Sequence, residues 1–241
     1  MQIISKEIKK DLVQITTTDE RWYLVDGVYL PSVTWILNYL PKGYAFEQWL
    51  KTHGQNADDI RDKAGKRGSV IHAVLEQLLL GKEVKHDDKF LNNITGEMQE
   101  ITAEEYAMSF TFIDWYNEHK PEVIQTEATV SDGKTAGTVD LVCKIGDQYW
   151  VIDFKTSKQI HNTHLIQVAN YRKKLEKDYP GIKGGILLIG KGTKKGYQFK
   201  PLENEQALET VFEAAYQIWD FEVKQKQPLQ RDYPLSLKLN N

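Results

Sequence analysis

The sequence predicts an α/β fold in which a mixed central β-sheet is flanked by helices. Three apolar, β-branched and aromatic runs lie near residues 123–131, 135–145 and 148–156, with turn residues between them. A segment whose apolar residues have helical spacing follows, and another apolar run occupies residues 185–189. Antiparallel strands, then a helix, then a further strand are the order expected of a mixed sheet with helices packed against it.

The remaining predicted elements are bounded by glycine, proline and helix-capping residues. Before the sheet they are a hairpin around 26–27, a helix from 31–32, a helix through Trp49, a largely helical stretch 57–80, a charged connector 82–89 and a helix at roughly 102–119. After the sheet they are a short strand 197–199, a helix from about 203 to 224 and an extended tail.

Neither an internal repeat nor an evident linker divides the chain, so we expect a single domain over residues 1–241. It would consist of an N-terminal hairpin and helices at 1–56, a core at 57–226 and a tail at 227–241. The formal net charge of -3 argues against a broad basic surface that coats nucleic acid, so any nucleic-acid path must be local.

A single cysteine, Cys143, excludes an internal disulfide and a four-cysteine iron–sulfur cluster. The sequence shows no signal peptide, lipidation motif or long apolar span. We therefore expect a protein without membrane contact that is located in the cytoplasm or elsewhere inside the cell.

Two acids and a lysine lie on the second and third predicted strands. Asp140 and Asp153 occur inside otherwise apolar runs, and Lys155 follows Asp153 by two positions. Because side chains alternate faces along a strand, Asp153 and Lys155 point the same way and Phe154 points the other way. Ordinary solvent-facing strand residues are the alternative, but Asp is depleted in strands, which favours a functional site.

These residues offer the chemistry of a site for Mg²⁺ or Mn²⁺. Mg²⁺ prefers hard oxygen ligands in an octahedron and keeps several waters, so Asp140, Asp153 and the carbonyl of Phe154 could hold it. A metal-bound water loses its proton more readily, and the ammonium of Lys155 could orient that water or stabilise charge on a phosphate. The arrangement indicates a metal-dependent nuclease.

The helical stretch upstream carries a further candidate ligand. His72 and Glu76 are four residues apart on one helical face, so their side chains can share a site. A lone helical histidine is more often a partly buried or solvated residue, and only the nearby Asp–Lys pair makes His72 a candidate. Glu76 is expected to support the ligands or to be an ordinary helix residue.

Four motifs resemble the PD-(D/E)XK nuclease superfamily, and in particular its RecB-like branch. Gly137–Asp140 and Asp153–Ser157 resemble its core motif, Arg67–Glu76 resembles a helix whose His reaches the metal, and Gln167–Tyr171 resembles its Gln-x-x-x-Tyr motif. The segment Tyr29–Thr34 is similar to the mitochondrial genome maintenance exonucleases and their phage and bacterial relatives. The resemblance implies a restriction-endonuclease-like core with helical N-terminal decoration.

The resemblance also implies roles for individual residues. Gln167 and Tyr171 would contact the substrate backbone or Lys155, although Tyr171 could equally pack its ring against the sheet. Members of the branch often carry a glutamate at the position of Glu127, where it would orient Lys155 or lie near the metal. The structural alternative for Glu127 is an acid that blunts an edge strand.

Other side chains near these motifs are candidate substrate contacts. Thr156 and Ser157 offer hydroxyls to a phosphate, or they simply end the strand. Arg67 belongs to a basic cluster that could line a nucleic-acid path, consisting of Arg61, Lys63, Lys66 and Arg67. A second cluster, Lys191, Lys194 and Lys195, is expected to be solvated surface. Aromatic rings of the N-terminal part could stack on unpaired bases, although most are expected in the core.

Together these motifs predict a Mg²⁺- or Mn²⁺-dependent DNA exonuclease, without an iron–sulfur cluster, that acts on single-stranded DNA or frayed ends. DNA is the expected partner, recombination or replication proteins are further candidates, and a phage origin would fit. Two alternatives stay open: a duplex end-resecting or structure-specific nuclease, and a non-catalytic DNA-binding module on the same fold. The core motif is common to all of them and does not determine specificity.

Overall fold

The computed structural model of the protein describes residues 4–9, 12–17, 20–190 and 196–228. The strands are β1 (Ile4–Lys9), β2 (Leu12–Thr16), β3 (Arg21–Val25), β4 (Val28–Pro31), β5 (Lys89–Asn92), β6 (Glu97–Glu100), β7 (Glu122–Ser131), β8 (Ala136–Ile145), β9 (Gln148–Lys155), β10 (Lys183–Ile189) and β11 (Tyr197–Pro201). The α-helices are α1 (Val33–Ile36), α2 (Gly43–His53), α3 (Asn56–Leu79), α4 (Ala103–His119), α5 (Asn162–Leu175) and α6 (Glu205–Glu222).

The central sheet has five strands in the order β11-β10-β9-β8-β7. Strands β9 and β10 are parallel, and the other neighbours are antiparallel. Helix α5 makes the crossover that a parallel pair requires. The predicted mixed sheet flanked by helices is therefore confirmed, and its strands begin and end within a few residues of the expected positions.

Residues of β8 contribute to two hydrophobic cores on opposite faces of this sheet. Val139 and Val142 pack in a core with residues of α5 and α6, whereas Leu141 and Cys143 pack in a core with residues of α3 and α4. A sheet that is covered by helices on both faces needs apolar residues on both sides of its strands. This explains why β8 is a nearly continuous apolar run in which Asp140 is conspicuous.

The N-terminal part differs from the prediction. The expected hairpin around Asp26-Gly27 is present as β3 and β4, but it is half of a four-stranded antiparallel sheet that also contains β1 and β2. The helix expected from Pro31-Ser32 is the single turn α1, capped by the Ser32 side chain and followed by a 3₁₀ turn, Leu37–Tyr39.

Three tryptophans connect the N-terminal sheet to the core. Trp22 of β3, Trp35 of α1 and Trp219 of α6 meet edge to face, with ring centroids 5.0–6.0 Å apart. All three are buried. Such aromatic pairs stabilise beyond their buried area. These rings are core residues and are not exposed for base stacking.

The charged connector leads to a second unpredicted element, the β5–β6 hairpin. Its two strands pair antiparallel, and alternation along β5 buries Phe90 and Asn92 and exposes Lys89 and Leu91. Phe90 packs with Val70 and Val74 of α3. Four-residue strands give little local signal, so the hairpin depends on its packing against α3.

Two predictions fall outside the residues that the structure describes: the basic cluster at 191–195 and most of the tail beyond 227. Within the described ranges, none of the helices is both long and apolar enough to cross a membrane.

Candidate functional site

Asp140 lies where strands β8 and β9 separate. The β8–β9 pairing runs from Ile145 opposite Gln148 to Leu141 opposite Ile152 and stops there. One residue further, Asp140 Oδ2 accepts the backbone N–H of Phe154 at 2.6 Å. The carboxylate thus satisfies a buried N–H that the sheet no longer pairs, and this bond holds Asp140 at the opening between the two strands.

Helix α3 places His72 against this carboxylate. His72 Nδ1 and Asp140 Oδ1 are 2.9 Å apart. Burial alone would lower the pKa of His72, but the neighbouring Asp140 charge and hydrogen bond raise it to about 9. Burial tends to raise the pKa of Asp140, whereas His72 and the N–H of Phe154 hold it below its ordinary value. The pair is therefore ionised on both sides when no metal is present.

Glu127 is the third member of this cluster. One ligand atom from each of His72, Glu127 and Asp140 lies within 4.8 Å of the others. In an octahedron with bonds of about 2.1 Å, two ligand atoms lie about 3.0 Å apart when adjacent and about 4.2 Å apart when opposite. The two carboxylates are ligands that suit Mg²⁺ or Mn²⁺, whereas the imidazole favours Mn²⁺ or another transition metal over Mg²⁺. The cluster therefore fits a divalent ion.

The backbone at Glu127 is unusual for a strand. The β7–β8 register places Glu127 opposite Asp140, and its φ of 48° lies in the left-handed region. Non-glycine residues rarely adopt this conformation, and it costs about 1 kcal/mol or more. The resemblance implied that Glu127 orients Lys155 or lies near the metal, with an edge-strand acid as the alternative. The structure places Glu127 on the edge strand β7 and beside the candidate ligands.

Asp153 and Lys155 point to the same side of β9, as their spacing predicts. Their side chains form a short ion pair, while Phe154 between them packs against Phe112 on the other face. Burial raises the pKa of Asp153 to about 6; the charge of Asp140 adds to this increase, and Lys155 opposes it. Asp153 is only 2% exposed, so its charge is screened little by water.

Helix α5 supplies a hydrogen-bond chain behind Asp153. Gln167 Nε2 donates to Asp153 Oδ1 at 3.0 Å and to Tyr171 Oη at 3.1 Å. Both side chains are buried. Tyr171 thus packs against the sheet and also lines the cleft. Its contact with substrate stays a prediction. The side-chain amide of Gln167 hydrogen-bonds to Asp153 and Tyr171, and not to Lys155.

The remaining predicted residues surround this centre. Arg67 Nη2 donates to the backbone carbonyl of Thr156 at 3.3 Å, and Arg67 Nη1 lies 3.6 Å from Glu104 Oε1. Ser157 Oγ donates to the carbonyl of Gln159, so this hydroxyl supports its own loop. Arg67 contacts the end of β9 through its guanidinium. A role in phosphate binding for Arg67, Thr156 and Ser157 stays a prediction.

A cleft of about 860 Å³ opens over these side chains. Its lining includes the predicted residues His72, Glu76, Glu127, Asp140, Asp153, Lys155, Gln167 and Tyr171. Sequence reasoning missed its two walls, which are Gln14, Thr16, Arg21 and Tyr23 of the N-terminal sheet and Leu91, Asn93, Ile94 and Gly96 of the β5–β6 hairpin. No local pattern marks these residues, because distant segments bring them to the site.

The N-terminal wall is joined to the core motif. Tyr23 Oη hydrogen-bonds to Thr138 Oγ1 at 2.9 Å and accepts a hydrogen bond from Gln14 Nε2, also at 2.9 Å. Thr138 lies two residues before Asp140 on β8. Arg21 also lines the cleft on this wall.

Comparison with known protein families gives a match over most of the chain. A model of the family described as the PD-(D/E)XK nuclease superfamily matches residues 41–232. No curated protein matches the sequence. The matched residues include helix α3, which carries His72, and strands β7, β8 and β9, which carry Glu127, Asp140 and Asp153.

Solved structures show more distant likenesses. An alkaline exonuclease (LHK-Exo) from Laribacter hongkongensis is 11% identical, with 80% of this chain and 87% of that chain covered and a TM-score of 0.42. Can2 from Sulfobacillus thermosulfidooxidans, in complex with cyclic tetra-adenylate, is 14% identical, with 86% and 60% covered and a TM-score of 0.24. Likenesses at TM-scores below 0.5 do not establish a shared function.

Proposed function

Because the chain belongs to the PD-(D/E)XK nuclease superfamily, we propose that it is a divalent-metal-dependent DNA exonuclease that hydrolyses phosphodiester bonds in single-stranded DNA or frayed ends. The observation that carries the proposal is the convergence in one cleft of the cluster His72, Glu127 and Asp140 with the Asp153–Lys155 pair. A bound metal would activate a water, and a cation beside the scissile phosphate would stabilise the charge that develops on it.

The metal ligands would be Asp140 and Asp153, with His72 and Glu127 completing the set and the carbonyl of Phe154 as a further oxygen donor. When bound, Mg²⁺ or Mn²⁺ would supply an activated water and stabilise charge on the phosphoryl group. Glu76, on the same face of α3 as His72, lines the cleft without joining the three-residue cluster. Its expected role is to support His72.

The chain's own residues orient the reacting groups. Lys155 is held beside Asp153 by their ion pair, where its ammonium can donate hydrogen bonds to the attacking water or to a phosphate oxygen. Gln167 holds the Asp153 carboxylate from behind. The reaction is an in-line displacement: the water oxygen bonds to phosphorus, the bridging P–O bond breaks, and the leaving oxygen takes up a proton.

The size and charge of the cleft support a single strand as substrate. Its volume of about 860 Å³ is in the range of pockets that enclose small ligands, which suits one unpaired strand entering by its end. Arg21 supplies a cation on the N-terminal wall of the cleft. The protein as a whole carries net negative charge, so attraction of DNA must be local.

A time course with end-labelled DNA tests the proposal. Single- and double-stranded DNA labelled at either end would be incubated with the protein and Mg²⁺ or Mn²⁺. We expect degradation of the single strand that stops in EDTA and is lost in Asp153→Ala and Lys155→Ala. Asp147→Ala, in the exposed turn between β8 and β9, is the matched control and should retain wild-type activity.

Other outcomes would replace the proposal. If both variants degraded DNA at the wild-type rate, Asp153 and Lys155 would not belong to the active site. DNA binding that needs no divalent ion and yields no product would indicate a non-catalytic module. Faster degradation of duplex than of single-stranded ends would indicate an end-resecting enzyme.

A further inference from the structure

The β5–β6 hairpin carries exposed apolar side chains on the side that faces the active-site cleft. Leu91 and Ile94 are 44% and 45% exposed, and both line the cleft that contains Asp140, Asp153 and Lys155. Met98 lies directly opposite Leu91 in the hairpin and is 61% exposed. Single exposed apolar residues are normal, but these three lie on one short hairpin and each lines at least one of two adjoining cavities, which favours contact with a ligand.

These apolar side chains lie next to the candidate metal ligands. Leu91, His72 and Glu127 line both the main cleft and an adjoining cavity of about 390 Å³, into which Met98 also faces. A phosphate bound at the carboxylates would therefore have its attached nucleoside close to this hairpin. The hairpin residues that line the main cleft, Leu91, Asn93, Ile94 and Gly96, carry no charge.

The hairpin is held rigidly enough to serve as a wall. The fully buried Asn92 accepts the backbone N–H of Ile94 at 3.0 Å and donates to the carbonyl of Lys66 on α3 at 3.3 Å. Ser69, also on α3, accepts the backbone N–H of Asn93 at 2.7 Å. The helix that carries His72 thus determines where the hairpin tip lies.

We propose that Leu91 and Ile94 form a base-binding wall, which contacts unpaired bases of the strand whose phosphate lies at the carboxylates and so gives the site its preference for single-stranded DNA. This inference rests on the proposed nuclease function. Apolar side chains match the faces of bases, which are exposed only in an unpaired strand, and such contacts tolerate any base sequence. Arg21, on the opposite wall, would contact the backbone of the same strand.

The test separates base contacts from phosphate contacts. The probes are a fluorescent single-stranded oligonucleotide and the same strand with abasic sites in place of the nucleotides next to the cut end. For the wild type we expect kcat/KM to be roughly tenfold lower on the abasic strand, which corresponds to about 1.4 kcal/mol. The double variant Leu91→Ser/Ile94→Ser should act on both strands equally, at the rate of the wild type on the abasic strand.

Two further variants guard against misfolding. Leu91→Tyr adds a ring at the wall and should raise the ratio between intact and abasic strands several-fold above that of the wild type. Phe110→Ser changes an apolar residue of α4 that is 55% exposed and does not line the cleft, and it should keep the wild-type ratio. Thermal melting of each variant would confirm that it is folded.

Each result has a distinct meaning. A double variant that still distinguishes the two strands tenfold would overturn the base-binding wall while the nuclease assignment stands. The same would follow from a Phe110→Ser variant that loses the distinction. A wild-type protein that hydrolyses neither strand would overturn the proposed function itself.

Discussion

Gly137 of β8 lies so close to the ring of Tyr171 that no side chain fits between them. A Cβ at position 137 would lie 2.8 Å from Tyr171 Oη and 2.9 Å from Cζ. Tyr171 Oη in turn accepts a hydrogen bond from Gln167, which also donates to Asp153. The glycine therefore lets helix α5 approach the sheet closely enough for Gln167 to hold the Asp153 carboxylate in the candidate site.

Substituting this glycine should disturb both stability and activity. Gly137→Ala is expected to lower the free energy of unfolding by about 1–3 kcal/mol, because overpacking displaces the Tyr171 ring. Hydrolysis should fall by about tenfold or more, since small displacements of positioning groups are costly. Denaturant unfolding and the DNA time course measure the two effects.

A double-mutant cycle with Tyr171→Ala provides the control. Removing the ring makes room for the new methyl group, so the combined loss of stability should be smaller than the sum of the single losses. Strictly additive losses would show that the Tyr171 ring is not what Gly137→Ala displaces.

The metal-free protein should gain stability from Asp153→Asn at neutral pH. Burial and the charge of Asp140 raise the pKa of Asp153 from 3.8 to about 6. The folded state thus binds this proton more tightly than the unfolded state, so the contribution of Asp153 to stability is present below about pH 4 and is lost as the pH rises through 6. Asparagine has no proton to lose there.

The gain should therefore grow between about pH 4 and pH 6 and reach at most about 2–3 kcal/mol above that range. Urea unfolding in EDTA at several pH values would measure it. Asp147→Asn, in the exposed turn of the same hairpin, should show no such pH dependence. A variant less stable than the wild type at pH 7.5 would mean that the ion pair with Lys155 outweighs the burial of Asp153.

Metal binding should release a proton from His72. The Asp140 carboxylate raises the pKa of His72 from 6.5 to about 9 against the opposing effect of burial, so the imidazole is protonated at pH 7.5 without metal. A coordinating imidazole must be neutral, so metal affinity should fall by about tenfold for each pH unit below 9. Calorimetric titration with Mn²⁺ in buffers of different ionisation enthalpy would count the released protons.

The expected count at pH 7.5 is about one proton per ion in the wild type and none from this source in His72→Gln. His119→Gln changes a histidine that bonds to the carbonyl of Trp115 and does not line the cleft, so it should release the wild-type number. Equal proton release by wild type and His72→Gln would exclude His72 as a ligand.

The side chain of Asn92 should stabilise the turn of the β5–β6 hairpin. Asn92→Ala leaves the backbone N–H groups of Ile94 and Thr95 without their side-chain acceptor and is expected to cost about 1–3 kcal/mol. Hydrogen exchange at these two amides should accelerate strongly. Asn93→Ala, at the neighbouring position, keeps its backbone bond to Ser69 and should leave exchange unchanged. Unaltered exchange in Asn92→Ala would show that Phe90 packing alone holds the hairpin.

Much of the fold follows from local patterns. The apolar runs predicted β7, β8, β9 and β10, and helical spacing predicted α3 and α5, because strand and helix periods repeat within a few residues. The short strands β1, β2, β5 and β6 were missed. Each pairs with a strand close to it in sequence, but a stretch of four to six residues carries little periodic signal. The burial of Phe90 in β5 also depends on packing against α3.

The sequence by itself determined the order of His72, Asp140, Asp153 and Lys155 along the chain, which resembles that of the family. It also determined that Asp153 and Lys155 lie on one side of β9, because side chains alternate along a strand. Only the tertiary structure decided that Glu127 joins His72 and Asp140, that Gln167 bonds to Asp153, and that two walls enclose the cleft. These relationships link residues on different strands and helices, and their distances are set by how the elements pack. Close packing of α3 and α5 on the sheet therefore converts separate motifs into one site.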